Sequence, residues 1–310
     1  MRVAPAVSAW LRGPRVRPAR SQPSGVVPFA GYTRSVAADR IAQNLAFINW
    51  TVLTALAVGG FAAVALGRMR TGATRGYLAF TAICSAVFAI LALLSDTDLP
   101  SGAASAVPAD PTWDVPRRVA LAALAVLSVG YAIALRRGNR APVLATTGLA
   151  AGGLALVAGA LSWAGGGVGV IPLVIQLALL AAATGGVFAA MILGHWYLVT
   201  PKLPEAPLIL FSRLLLGIVA LQVLLFAAWV ATGTGGGGPF SALTGPWAMF
   251  VWLRLLVGLV FPIVIAWAAV QTARTRSMES ATGLLYIAVG AIAAGTILAA
   301  GLYFGAGMLV

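Results

Sequence analysis

The feature that most limits what this chain can fold into is a series of eight apolar stretches, each near the length of about 20 residues that crosses a bilayer as a helix. Short polar or glycine-rich segments separate them. The pattern predicts an all-α integral membrane protein, a bundle of about eight transmembrane helices joined by short loops. The predicted spans are Leu45–Gly67, Gly76–Ser95, Val119–Leu135, Ala141–Trp163, Val170–Val199, Leu208–Thr232, Trp247–Val270 and Ala281–Phe304.

The composition supports a lipid-facing surface. Hydrophobic residues make up 61% of the 310 residues and charged residues 9%, whereas ordinary soluble domains carry about 25% charged residues. With 7 acidic residues and one lysine, Lys202, the chain lacks the charges needed to cover a soluble protein of this size. The single cysteine, Cys84, cannot form an intrachain disulfide. The expected environment is therefore a lipid bilayer.

The arginines predict an orientation, because short loops rich in Lys and Arg stay in the cytoplasm. The odd-numbered loops carry most of this charge, whereas the segments 164–169 and 233–245 carry none. This places the odd loops in the cytoplasm and both termini outside. The basic residues of the odd loops are Arg68, Arg70, Arg75, Arg136, Arg137, Arg140, Lys202, Arg274 and Arg276.

The first 43 residues conflict with that orientation, because they carry seven arginines in a Pro/Arg/Ser-rich sequence. Three explanations are open: a mis-assigned start, with the true one near Val36; a miscounted helix; or a disordered basic tail lying on anionic lipid. Residues 44–310 are expected to form one polytopic transmembrane domain. A nucleic-acid partner is not expected, because the basic residues flank membrane helices.

A first candidate site surrounds the only histidine, His195, near the predicted cytoplasmic end of the fifth span. At about 100° per residue, His195, Met191 and Thr184 fall within about 60° of one another on the helix. The functional interpretation is a ligand site in which His195 binds haem or a metal, or donates a proton to a quinone-like molecule, supported by Tyr197 and Lys202.

The alternative interpretation is interfacial. Trp196 and Tyr197 then belong to the aromatic belt, His195 lies among lipid head groups, and 200–207 is a stiff turn. A haem with two histidine ligands would need a second histidine, which this sequence lacks. A five-coordinate haem, or one shared across a homodimer, stays open, and no other metal site is predicted.

A second candidate site is Arg254, inside the seventh span, where a charge costs several kcal/mol. Arg213, in the sixth span, is close enough to a helix end for its side chain to reach the head groups. Because the predicted spans contain no Asp or Glu, no ion pair within the membrane is expected. Arg254 must then be satisfied by Gln176 or Gln222, backbone carbonyls, water, a lipid phosphate, a bound anion or the carboxylate of a partner subunit.

Small residues and one proline predict packing features. Two GxxxG pairs, Gly148/Gly152 and Gly301/Gly305, favour close helix contacts. Pro262 leaves the carbonyl of residue 258 without its helical donor and predicts a kink. Arg213 and Arg254 both begin an Arg-Leu-Leu-x-Gly pattern, which hints at a duplicated helix.

These observations narrow the function. Missing buried carboxylates argue against cation-coupled or proton-coupled carriers and cation channels, and no sequence motif of a soluble enzyme is present, so a non-catalytic role is favoured. One hypothesis is an integral subunit of a larger complex, or a carrier for an anionic or lipid-like ligand. The other is a haem- or quinone-linked redox protein using His195. Arginine in place of lysine, with abundant alanine and glycine, indicates a GC-rich bacterial genome and an inner-membrane location.

Overall fold

The computed structural model describes residues 36–99, 106–166, 169–200 and 203–310, and in this part of the chain every regular element is helical. Eight helices are long and apolar enough to cross a membrane. The predicted fold class is thereby confirmed: the chain is a multi-pass, all-α membrane protein. The helices are α1 (Val36–Gln43), α2 (Leu45–Arg70), α3 (Arg75–Thr97), α4 (Asp114–Arg136), α5 (Pro142–Trp163), α6 (Val170–Val199), α7 (Ala206–Thr232), α8 (Ala248–Leu255), α9 (Phe261–Arg274) and α10 (Met278–Ala306).

Helices α8 and α9 form a single span, 248–274, joined by the π-helical turn Leu256–Val260. Consecutive spans run antiparallel, so the loops fall into two groups. The odd side carries the loops α2–α3, α4–α5, α6–α7 and α9–α10; the even side carries the loops α3–α4, α5–α6 and α7–α8. The segment 1–35, which includes most of the basic N-terminal segment, lies outside the described residues.

Several spans extend further than hydropathy indicates. The second runs to Thr97 rather than Ser95, and the third begins at Asp114, five residues before the expected Val119. In front of it lies a short 3₁₀ turn, where the Asp110 side chain accepts a hydrogen bond from the backbone N–H of Thr112. Hydrogen bonding from Thr112 holds the pKa of the Asp110 carboxyl below its ordinary value.

The centre of the bundle is the contact between α2 and α6, which are the most deeply buried spans. Glycines make this contact possible. A Cβ atom on Gly59 would lie 1.8 Å from the carbonyl oxygen of Ala181, and one on Gly185 would lie 2.2 Å from the backbone nitrogen of Gly60. Two helices can approach this closely only where side chains are missing. Thr184, the neighbour of Gly185 in α6, hydrogen-bonds through its hydroxyl to the hydroxyl of Thr296 in α10 at 2.8 Å.

The predicted GxxxG pairs also lie at helix contacts. Gly148 of α5 packs beneath the ring of Phe61, and Gly152 packs against Val58 of the same helix, α2. Gly301 of α10 faces Ile41 of α1, a contact that packs α1 against the bundle, and Gly305 faces the ring of Trp247. The packing interpretation of these glycines is confirmed.

The even side is closed by backbone contacts between the glycine-rich loop, residues 233–245 between α7 and α8, and the residues that follow α10. The backbone N–H of Leu309 donates to the carbonyl of Gly235 at 2.9 Å. A Cβ on Gly235 would lie 2.2 Å from the carbonyl oxygen of Leu309, so only glycine fits there. The chain thus turns back after α10 and brings Val310, which is 3% exposed, into the bundle.

Candidate functional site

Arg254 is buried in the even half of the bundle, with 3% of its surface exposed. All three guanidinium nitrogens donate to oxygen atoms. Nη2 donates to Oε1 of Gln222 at 2.9 Å, Nη1 to the carbonyl of Gly258 at 3.2 Å, and Nε to the carbonyl of Val310 at 3.5 Å. Gln222 is held in turn, because its Nε2 donates to the carbonyl of Leu179 on α6. The acceptors on Gln222 and Gly258 are neutral, and no Asp or Glu among the described residues pairs with this charge.

The Gly258 carbonyl is available to Arg254 because of Pro262. A proline has no N–H to donate to the carbonyl four residues before it. Here the helix widens into the π turn Leu256–Val260, and the Arg254 side chain supplies a donor to the freed oxygen. The kink predicted at Pro262 thus takes the form of a π turn, and it adds a ligand to the guanidinium.

A second glutamine lies beside this arginine. Gln176 of α6 is 5% exposed, and its Oε1 has no hydrogen-bond partner. Gln176, Gln222, Arg254 and Val310 line a cavity of about 10 Å³, close to the smallest volume that holds a water molecule. The two glutamines that the sequence offered as partners are both at the arginine, although only Gln222 bonds to it.

Arg213 does not belong to this site. Its side chain is exposed on α7, near the odd side. The two Arg-Leu-Leu-x-Gly segments also differ at their glycines: a Cβ on Gly217 would meet nothing within 4 Å, whereas one on Gly258 would lie 2.6 Å from the Cα of Gly295. Because the matching arginines differ in burial and the matching glycines differ in packing, the structure gives no support to a duplicated helix.

The histidine candidate site lies near the odd-side end of α6. His195 is exposed near the end of α6, and its Nδ1 lies 3.4 Å from the hydroxyl of Tyr286. Met191, one turn away, is half-buried against the core, and Thr184 is buried with Thr296. Because α6 is helical through all three residues, they share one face as expected, but their burial differs along it: Thr184 is buried, Met191 half-buried and His195 exposed. Within the described ranges, no group of three or more His, Cys, Asp and Glu side chains could hold a metal ion.

The residues named as supporting His195 have other places. Tyr197 is 2% exposed, and its hydroxyl donates to the carbonyl of Pro204, so it fixes the α6–α7 turn rather than joining an aromatic belt. Trp196 packs over Gly76 of α3. Lys202 lies outside the described residues. A cavity of about 380 Å³ opens nearby, and its lining includes Tyr197 and Leu198 of α6 but not His195.

The most strongly bonded polar cluster was missed by the sequence analysis. Asp96, fully buried at the end of α3, accepts hydrogen bonds from Arg117 Nε at 2.5 Å and Nη2 at 3.1 Å, and from Arg118 Nε at 2.7 Å. Arg117 Nη1 also donates to Ser162 of α5 at 2.5 Å, and its Nη2 to Asp114 at 3.0 Å. The cluster ties α3, α4 and α5 together on the even side.

Two indole rings enclose the buried arginine. The Cζ atom of Arg117 lies 4.6 Å from the ring centroid of Trp163 and 5.7 Å from that of Trp50, which are cation–π distances. The expectation that the spans contain no carboxylate and no ion pair was wrong. Hydropathy ended the spans at the first charges, whereas in the folded chain those charges neutralise one another and the helices continue through them.

A groove of about 770 Å³ opens between α2, α3 and α10 in the even half of the bundle. Its walls are mainly aliphatic, and its polar groups lie together: Asn49 Nδ2 donates to Ser95 Oγ at 3.1 Å, and Asp98 lies one helical turn beyond Ser95. Asp98 is exposed and makes no ion pair with the described residues. The other lining residues are Leu45, Ala46, Ile48, Val52, Leu53, Leu91, Leu94 and Ile297.

The fold and these sites define a class of protein: a polytopic helical membrane protein with a buried arginine hydrogen-bonded to protein oxygens and an apolar groove. In comparisons with known protein families and with curated proteins, no match is found for this chain.

Proposed function

We propose that the protein is a non-catalytic component of a bacterial inner membrane that binds a lipid-like molecule in the groove between α2, α3 and α10. The observation that carries this proposal is the groove itself. Its volume of about 770 Å³ lies within the range of about 300–1,000 Å³ for small-molecule sites, and its aliphatic walls belong to transmembrane helices that lipid surrounds.

The polar end of the groove favours one kind of head group. Asp98 makes no ion pair with the described residues, and the amide oxygen of Asn49 is a further acceptor. Acceptors with negative charge attract a group that donates hydrogen bonds, such as an amine, and repel an anion. Of the anionic and lipid-like ligands expected from the sequence, the groove therefore favours a lipid-like molecule with a donating head group.

The orientation in the proposal is that expected from the sequence, with the odd side in the cytoplasm. The groove then opens to the outer leaflet of the inner membrane, and the described helix α1 lies outside. A redox role for His195 gains no support from its surroundings, because the imidazole is exposed and its described hydrogen-bond partner is Tyr286.

The test is mass spectrometry of lipids extracted from the detergent-purified protein. One amine-bearing lipid class should be enriched over the bulk membrane. Ala46→Trp, which fills the groove, should abolish that enrichment, whereas Leu154→Trp, at a position 62% exposed on α5, should preserve it.

Asp98→Asn should weaken binding of the amine lipid. Because Asp98 is exposed, its ion pair with the head group should contribute at most about 1 kcal/mol, which corresponds to a loss of up to about fivefold in affinity. Equal lipid content in the wild type and Ala46→Trp would overturn the proposal. Co-purified quinone or a Soret band that disappears in His195→Ala would replace it with the redox hypothesis.

A further inference from the structure

Three cavities follow one another from the even-side surface to Arg254. The first is an open vestibule of about 350 Å³ between the glycine-rich loop, Arg40 and Met308. The second, of about 10 Å³, lies beneath that loop and shares Gly236, Ala242 and Met308 with the vestibule. The third is the cavity of about 10 Å³ at Arg254.

The second and third cavities also adjoin, because Trp229 and Val310 line both. Trp229 is half-buried, and the backbone around the second cavity is rich in glycine. The larger side chains that line the second cavity are Trp229, Met308, Leu309 and two valines. The described residues thus place the buried guanidinium at the inner end of a row of three adjoining cavities, here named the passage, that begins at the surface.

The polar atoms at the inner end specify what fits there. Each terminal nitrogen of Arg254 carries a second N–H beyond the one used for Gln222 or Gly258. Opposite it, the buried Oε1 of Gln176 lacks a donor. A water molecule accepts from the guanidinium and donates to this oxygen. A halide could only accept, so it would leave Gln176 Oε1 unsatisfied and facing a negative charge.

We propose that a file of water molecules enters from the even-side vestibule, and that its innermost water bridges Arg254 and Gln176. The bridge connects Gln176 of α6 to Arg254 of α8. These two side chains share no direct hydrogen bond. Hydration from one side also reduces the cost of burying the charge of Arg254. This inference does not depend on the proposed lipid site.

The bridging water is tested by a structure of the full chain in lipid nanodiscs at a resolution that shows ordered water, once in chloride and once in bromide. One density peak is expected within hydrogen-bond distance of both Arg254 and Gln176, identical in the two salts and lost in Gln176→Leu. An empty cavity would overturn the proposal. So would a halide peak, or a water that persists in Gln176→Leu.

The passage is tested by magnetisation transfer from water to the Arg254 side chain in solid-state NMR, with the Arg254 signal identified by its loss in Arg254→Gln. Ala242→Leu fills the second cavity and should slow this transfer. Ala227→Leu, on the exposed face of α7, is the matched control and should not. If Ala242→Leu fails to fold, Ala242→Val makes the same test with a smaller side chain. Equal transfer rates in the folded Ala242 variant and the control would refute the passage.

Discussion

Replacing Arg117 by glutamine should strongly destabilise the protein. Arg117 is 2% exposed, and it connects Asp96 of α3 to Ser162 of α5. Removing one member of a buried ion pair costs about 3–5 kcal/mol, because the remaining charge is left buried without its partner. Loss of the two indole contacts adds about 0.5–2 kcal/mol.

The adjacent residue provides a matched control. Arg118 also bonds to Asp96, but it is 38% exposed, and exposed pairs contribute about 0–1 kcal/mol. We expect Arg118→Gln to reduce the free energy of unfolding by at most about 1 kcal/mol. In a double-mutant cycle, Asp96→Asn should couple more strongly to Arg117→Gln than to Arg118→Gln.

The assay is reversible unfolding in mixed micelles with increasing SDS, followed by tryptophan fluorescence and far-UV circular dichroism. Both Arg117→Gln and Asp96→Asn should unfold at a clearly lower SDS fraction than Arg118→Gln. If the three variants unfold within about 1 kcal/mol of one another, the cluster does not hold α3, α4 and α5 together as the contacts indicate.

Two further predictions concern packing and a single hydrogen bond. Gly258→Ala should lower the melting temperature, because its Cβ would lie 2.6 Å from the Cα of Gly295 and overpacking costs about 1–3 kcal/mol; Gly217→Ala, with nothing within 4 Å, should leave it unchanged or raise it. A drop of similar size in both glycine variants would contradict the packing argument. Tyr303→Phe removes the 2.7 Å hydrogen bond to the Trp163 carbonyl and should cost about 1 kcal/mol by the same SDS titration, so an unchanged unfolding midpoint would show that this bond is not stabilising.

The spans were predictable because the penalty for exposing polar backbone to lipid is large and acts on every residue of a crossing segment. The fifth span, α6 (Val170–Val199), has the bounds expected from the sequence. The partners of Arg254 were partly predictable as well. A charge inside a span has few neutral groups to choose from, and Gln222 was among them.

What could not be predicted depends on contacts between segments distant in sequence. Hydropathy treats Asp96 and Arg117 as separate costs, although they are 21 residues apart and neutralise each other. The pairing of Gly59 with Gly185 is likewise invisible in a chain with 36 glycines. His195 was selected as the only histidine of the sequence, whereas its exposure depends on its place near the end of α6, since Thr184 on the same face is buried.

The backbone contact between α2 and α6 has a consequence for motion. Helices in contact through glycine cannot slide or rotate against each other without steric overlap, so this pair should move as one rigid unit. Within the most apolar 18 residues of each span, 67% are buried in α2 and in α6, but 28% in α7 and 33% in the α8–α9 span. Any rearrangement on binding should therefore displace α7, α8 and α9 around a stationary α2–α6 pair, and backbone amide exchange should be slowest in that pair.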